Sequence, residues 1–285
     1  MLPNTKPVDE EVPEGDTSSC IIHCAMRHDT TIRFQDRAAI VAGDEYGFCR
    51  EAALLLSAEG ASLVLNSTDA GEADKLTGEI RDAGGKATPA SYNIASMEGG
   101  QELVESAVES FGGVDILVSV VGARRNESIA GMSERDWHTV MEGTLKSVFT
   151  VTKHTCAQMR QQRNGRIVYL LQEPEYGQPG AAAYDTALEA IVGLSRTVAL
   201  DMERYGVNCN VVIASDAKNA ALLAAYLCTD ATARISGHVF GAGAEELYLY
   251  SKPAVARSLY SAELFSVEEI ASLAPRHLFP EGGPR

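Results

Sequence analysis

The sequence predicts an α/β fold, a doubly wound parallel sheet with helices on both faces. Three observations carry this. Short apolar runs alternate with amphipathic stretches from residue 38 to residue 241, and alternation along a whole chain gives a parallel sheet layered by helices. The stretch AAIVAGDEYGFCREAALLLSAEGASLVLNSTD at 38–69 reads as strand, glycine turn, helix and strand, the opening of a dinucleotide-binding fold. The chain has 285 residues and 45% apolar content, enough for one domain with a large core and extensions at both ends.

The first strand is expected at 38–42 and the second at 61–66. Between them Cys49, Ala52, Ala53 and Leu56 recur at spacings of three and four, which makes one helix face apolar. Gly60 is placed to end that helix. The turn before it carries Gly43 and Gly47, with Cys49 where a third glycine is expected. Asp44, Glu45 and Tyr46 lie between the glycines. A phosphate cradle works through bare backbone N–H groups at a helix N-terminus. Two carboxylates beside it repel a pyrophosphate, and a tyrosine crowds it. The turn predicts the fold and discourages its usual ligand.

Further on, helices are expected at 71–83, 97–111, 133–163, 181–204 and 217–229. Strands are expected at 86–92, 115–120, 165–171, 207–214 and 237–241. Ser133 with Asp136 makes a helix N-cap. The helix at 181–204 is apolar on more than one face, which fits burial on its own sheet and on a partner subunit. No internal repeat is present. Domain limits follow: an acidic, partly disordered arm at 1–33, the α/β domain at 34–244, and a tail at 245–285 suited to subunit contacts. An amphipathic patch lies at 266–273 in that tail.

Net charge is −15 and the isoelectric point is near 4.8, which argues against nucleic acid or an anionic membrane surface as partner. No run of eighteen apolar residues exists, so no membrane-spanning helix is expected. The first residues are acidic and Pro-bearing, unlike a secretory signal. A cytoplasmic location with six reduced thiols is the expectation. Cys20, His23, Cys24 and His28 have the side chains of a metal site. No second ligand cluster stands at zinc-finger distance, so an arm without metal is expected there.

The order of these pieces resembles the short-chain dehydrogenase/reductase (SDR) family, whose fold is of the Rossmann type. The resemblance covers about 34–241. It rests on FQDRAAIVAG, FGGVDILVSVVG, DWHTVMEGTLKSVFTVTKH, GRIVYLL and AAAYDTALEAIVGLSRTVALDMERYGVNCNVV in that order. The resemblance implies an NAD- or NADP-dependent oxidoreductase with four catalytic side chains. The family's tyrosine, its proton carrier, falls on Tyr184. The lysine four residues on, which lowers the tyrosine's pKa and holds the nicotinamide ribose, is Leu188 here. A tyrosine with a pKa near ~10 carries protons poorly at neutral pH without a neighbouring cation. The substrate-orienting serine is replaced by Leu171 or Gln172, and the helix asparagine by Thr144. One of the four remains.

The stations that the resemblance implies for the cofactor are Gly43, Gly47, Asn66, Ser67, Asn93 and Gly122, and they are degenerate. The family's Asn-Asn-Ala-Gly turn reads Ser119-Val-Val-Gly122. Its adenine-contacting aspartate aligns with Asn93. Asn66-Ser67-Thr68 offers neither an acid for a ribose nor an arginine for a 2′-phosphate. Arg50 is a candidate cation that also fits a solvated helix face. Lys146, Lys153 and Lys218 are the other candidates to replace the missing lysine. The family's substrate-covering segment is deleted: Ala214-Ser215 stands where Pro-Gly is usual, and the next helix begins at once. Without that lid nothing closes a substrate pocket against water. Cys49, Cys156, Cys209 and Cys228 read as small core residues.

Three functions remain open at this point. The first is a non-catalytic structural or regulatory subunit, with no tightly bound cofactor. It would join an active paralogue through the helices around 136–155 and 181–204 in a heteromeric dehydrogenase, or form a homo-oligomer. The tail from Leu247 to Tyr260 resembles those of family members acting on hydroxyacyl-CoA esters, which suggests the partner's substrate class. The second is an active oxidoreductase using Tyr184 in a rearranged site. The third is a binding module for another small ligand, with Asp44 and Glu45 favouring a cationic or neutral one.

Overall fold

The first strand, β1 (Ala38–Ala42), has all five residues buried. A strand covered on both faces needs an unbroken apolar run, and AAIVA supplies it. The computed structural model describes residues 34–43, 47–121, 127–172, 178–262 and 264–279. Its remaining elements are α1 (Phe48–Ala58), β2 (Ser62–Asn66), α2 (Ala70–Asp82), β3 (Lys86–Ala90), α3 (Met97–Phe111), β4 (Ile116–Val121), α4 (Glu134–Met141), α5 (Ser147–Gln162), β5 (Gly165–Gln172), α6 (Ala182–Met202), β6 (Val207–Ala214), α7 (Ala217–Leu227), β7 (Val239–Ala242), β8 (Leu247–Leu249) and α8 (Val267–His277). One eight-stranded sheet forms in the order β3-β2-β1-β4-β5-β6-β7-β8. All its neighbours run parallel except β7 and β8.

Two apolar layers sandwich the sheet. One packs α3, α5 and α6 on inward residues such as Ile40, Leu117, Ile167 and Val211. The other packs α1 and α7 on Ala39, Val41, Ile116 and Val212. Residues alternating along each strand face opposite layers, as the pleat requires. Side-chain caps start the helices. Asp69 accepts from Gly71 N, Ser96 from Gly99 N, Ser133 from Asp136 N and Asp216 from Asn219 N. Each satisfies a backbone donor that the first helical turn leaves without a partner.

The N-terminal ends of the strands are held by charge. Arg37 forms two 2.7 Å hydrogen bonds to Asp230. Arg166, only 4% exposed, donates to the carbonyls of Gly165, Gly206 and Thr229 and reaches Asp230 at 3.5 Å. This ties β1 and β5 to the end of α7.

The structure departs from the sequence expectations at four places. The strand expected at 86–92 ends at Ala90, because the Asn66 side chain takes the Tyr92 backbone on both its N–H and its carbonyl. The helix expected at 133–163 is interrupted by a π turn, Glu142–Lys146. There Ser147 Oγ donates to the carbonyls of Glu142 and Gly143, which loosens the ordinary ladder. The strand expected at 237–241 runs Val239–Ala242. It is not the last, since β8 pairs antiparallel beside it inside the stretch expected as tail. The tail also holds α8, which begins on a capping box of Ser266 and Glu269.

Candidate functional site

Parallel strands order their C-terminal ends along one edge, where such folds bind ligands. A cleft of about 410 Å³ opens there over β1, β2, β3 and β4. Gly43, Asn66, Ser67, Asn93, Ser119 and Ser147 are among its lining residues. A second cleft of about 180 Å³ adjoins it between α1 and α2, sharing Gly43, Asn66, Ser67 and Glu72. Arg50, Lys75 and Glu79 line its outer side.

The two glycines of the turn play different parts. Gly43 has φ +99° and its N–H donates to Asn66 O. A Cβ on it would collide with the carbonyl oxygen of Val120. It lets the end of β1 close on β4. Gly47 caps α1 with φ +70°, and no described atom lies within 4 Å of where its Cβ would stand. Only its backbone geometry demands glycine. Asp44, Glu45, Tyr46 and Gly122 lie outside the described residues, as do Cys20, His23, Cys24 and His28. Among the described residues no group of three or more His, Cys, Asp or Glu is placed to hold a metal ion.

The remaining cofactor stations are in the cleft, but their side chains are engaged with the protein. Asn66 is 3% exposed and clips β2 to Tyr92. Ser67 Oγ accepts from Asp69 N. Asn93 Oδ1 accepts from Ala95 N at the approach to α3. Arg50 bonds Glu79 at 2.7 Å and stands 3.7 Å from Glu51. It is a partnered surface cation on the wall of the smaller cleft.

The side chains that the resemblance aligns with catalytic stations are mostly packed into the fold. α6 lies against the π turn that holds Thr144. Tyr184 and Thr144 are both fully buried. Leu188, one turn after Tyr184, is 2% exposed and belongs to the same apolar cluster as Tyr184, Ala183 and Ile191. The position that the resemblance aligns with a lysine is thus surrounded by hydrocarbon. Gln172 ends β5 half-buried, its Oε1 enclosed without a hydrogen-bond partner among the described residues. Lys146, Lys153 and Lys218 are all exposed, and Lys146 pairs with Glu142 at 3.6 Å. None of them substitutes for the missing cation there.

Where β6 passes straight into α7, a side chain that sequence reading missed holds the helix start in place. α7 begins three residues after β6 ends. Asn219 in its first turn donates from Nδ2 to the carbonyls of Gly243 and Ala244. This clips α7 to the turn between β7 and β8. An asparagine three residues after a helix cap was its only sequence signal. The cysteines are poor nucleophiles: burial pushes the Cys156 and Cys228 thiols up to about 12, and Cys209 higher still.

The cofactor that such a cleft implies is a nicotinamide dinucleotide. Its adenosine end would find room beside Ser67, Asn93 and Ile94. Tyr184 and Leu188, both buried, are not among the residues that line either cleft, so neither offers the nicotinamide end a phenol or a cation there. The residues do not fit a dinucleotide held for hydride transfer. A separate apolar groove of about 550 Å³ runs over α4, α5 and α6, with Met141, Leu145, Phe149, Ala190 and Leu194 among its lining residues. No helix among the described residues is long and apolar enough to cross a membrane.

Comparison with known proteins agrees with this architecture. The family model for short chain dehydrogenases matches residues 37–223. A peroxisomal multifunctional enzyme type 2 of Drosophila melanogaster is 37% identical over 195 residues, 65% of this chain and 32% of that protein. The chain thus spans about a third of that relative's length. A (2S)-[(R)-hydroxy(phenyl)methyl]succinyl-CoA dehydrogenase subunit of Thauera aromatica is 29% identical over 178 residues, 62% of this chain and 72% of that one. The crystal structure of a short chain dehydrogenase from Mycobacterium avium superposes with a TM-score of 0.81 and 26% identity, covering 87% of this chain and 95% of that one. With the sheet order and the matched model in agreement, the chain belongs to the short-chain dehydrogenase family.

Proposed function

We propose that this chain is a non-catalytic structural or regulatory subunit of a heteromeric dehydrogenase. Its active partner is a complete SDR paralogue that oxidises a hydroxyacyl-type substrate carried as a CoA ester. The observation that carries the reading is Leu188. It sits in the core against Tyr184, where the chemistry needs a solvated cation. The direct passage from β6 into α7, which the Asn219 clip fixes, supports it, because it leaves no room in the chain for a substrate-covering segment. The Thauera relative, a CoA-ester dehydrogenase subunit by name, supports the substrate class and the multi-subunit form.

The partner docks on the groove over α4, α5 and α6. Phe149 is 45% exposed at that face, and an open apolar groove of this size marks an interaction surface. No tightly bound cofactor belongs to this subunit. A cytoplasmic assembly is part of the same proposal, supported by Cys156, Cys209 and Cys228, which stand as thiols.

Co-expression with the active paralogue tests it. The two chains are expected to co-purify, and Tyr184→Phe is expected to leave the activity of the complex unchanged. Replacing the partner's own catalytic tyrosine is expected to abolish it. Loss of activity on Tyr184→Phe, with the complex still assembled, would refute the reading.

A further inference from the structure

One strongly charged patch takes no part in the clefts or the apolar groove. The guanidinium carbons of Arg204, Arg160 and Arg163 lie 4.8, 5.2 and 5.9 Å from the ring centroid of Tyr205, each close enough for a cation–π contact. The three arginines are exposed. Tyr205 is half-buried and packs on the apolar layer of α3, α5 and α6. The cluster is built where two helices end. Arg160 lies in the last turn of α5 and Arg163 caps it, while Arg204 and Tyr205 belong to the short 3-10 turn that follows α6. The two ends touch: a Cβ on Gly206 would stand 3.0 Å from Arg163 O, and Arg166 donates to Gly206 O at 3.2 Å. β5 and β6 start just beyond these caps, and each runs for 8 residues. The cluster therefore lies at the opposite edge of the sheet from the clefts, roughly 25 Å away along the strands.

Two features set these arginines apart from ordinary helix-end cations. A cation that serves a helix end bonds its last carbonyls. Of the three only Arg163 does so, from Nη2 to Arg204 O at 3.3 Å. The N–H forks of Arg160 and Arg204 make no hydrogen bond among the described residues. None of the three forms an ion pair there either, although Asp201 and Glu203 stand on the same stretch of chain. The sequence has 39 Asp and Glu against 24 Lys and Arg, so composition alone favours a carboxylate beside a cation. Three gathered cations without one reverse that expectation. The second feature is in the backbone. Arg163 has φ +56°, a left-handed conformation that glycine or asparagine usually takes at a helix end. A side chain with a Cβ is strained there. The fold nevertheless holds an arginine at that point, with its guanidinium at the Tyr205 ring.

We infer that Arg160, Arg163 and Arg204 form a binding site for a phosphate monoester. A planar guanidinium grips phosphate oxygens through paired N–H donors. Placed against an aromatic ring, it keeps those donors at its edge and loses rotamer freedom before the ligand arrives, which lowers the entropy cost of binding. A phosphoryl group is compact, carries close to two negative charges at neutral pH and presents several strong acceptor oxygens. That suits three guanidinium groups gathered around one ring. A single carboxylate has half the charge and is filled by one fork, which leaves the remaining cations opposed to each other. The site is independent of the heteromer proposed above, because no residue of the clefts or of the groove over α4, α5 and α6 belongs to it.

The test titrates inorganic phosphate into the full chain carrying isotope-labelled arginine and follows the Nε–H resonances of Arg160, Arg163 and Arg204. Saturable movement of all three is expected in the millimolar range or tighter, with no matching movement when chloride is added to the same ionic strength. Arg160→Gln with Arg204→Gln alters two exposed side chains, so the body of the fold is expected to persist. Phosphate binding read at Arg163 is expected to weaken by about tenfold or more. Arg160→Lys with Arg204→Lys keeps the charge and removes the forks, and is expected to bind nearly as weakly as the glutamine variant. An otherwise uncharged heptapeptide bearing one phosphoserine separates the sources of the ligand. Tighter binding than inorganic phosphate assigns the site to a phosphorylated protein segment, and equal binding assigns it to small phosphate esters. Phosphate shifts that do not saturate, chloride shifts of the same size, or a lysine variant that binds like the parent would each overturn the site.

Discussion

Leu188→Lys restores the residue type that the family's chemistry requires, and the structure predicts that it damages the protein instead. Leu188 is 2% exposed among Tyr184, Ala183 and Ile191. The aliphatic stem of the new side chain replaces most of the lost hydrocarbon, so the amine decides the outcome. Forced into that cluster, it folds only by shedding its proton. A buried lysine's pKa falls by about 3 units in such surroundings, and each unit corresponds to about 1.4 kcal/mol. The expected destabilisation at neutral pH is roughly 4 kcal/mol, a large part of a domain's stability. The sign with pH follows. The unfolded state binds the proton and the folded state does not, so the variant regains stability as pH rises toward the unfolded lysine's pKa near ~10.4. Urea denaturation at pH 7 and pH 10 measures both quantities. No dehydrogenase activity is expected, since Gln172 and Thr144 still occupy two other stations. A cost under about 1 kcal/mol with no pH dependence would mean that position 188 opens on a solvated site, not on a sealed core.

The turn glycines separate steric from backbone cost. Gly43→Ala brings both a positive φ and a clash with Val120 O, and is expected to lower stability by roughly 3 kcal/mol or more. Gly47→Ala meets open space and only the strain of φ +70°, roughly 1 kcal/mol, and chemical denaturation of the two variants checks the order. Asp230→Asn removes the carboxylate that Arg37 and Arg166 share. Arg37's hydrogen bonds hold the Asp230 carboxyl below its usual 3.8. Its contribution is therefore present above pH 3.8 and is lost as pH falls through the lowered pKa. Because Asp230 is largely exposed, the loss at neutral pH is expected near 1 kcal/mol. The gap between parent and variant is expected to close in thermal melts run at progressively more acid pH.

Much of the fold was legible because local signals agree with the global pattern. β1 and β6 run over the expected residues, and α3 begins and ends where its cap and its following glycines place it. The edge of the sheet was not legible. β8 has three residues and owes its existence to pairing with β7, which no local pattern announces. The π turn at Thr144 hid inside a helical period, although Gly143 and Ser147 are the residues that produce it. In the site, the loss of the lysine was visible as Leu188. That Tyr184 and Leu188 share a sealed cluster, and that Asn66 turns its amide to Tyr92, depends on tertiary packing and appears only in the structure. α8 could have been found from Ser266 and Glu269, whose capping box lies in plain sequence.

The central claim is that this chain alone does not turn over. The direct measurement is the rate of NADH or NADPH formation by the purified chain, without its paralogue, supplied with NAD or NADP and hydroxyacyl-CoA esters. The expected rate cannot be told from the uncatalysed background. A turnover number of about 1 per second or more, within the usual range of enzymes, that disappears on Tyr184→Phe would contradict the claim.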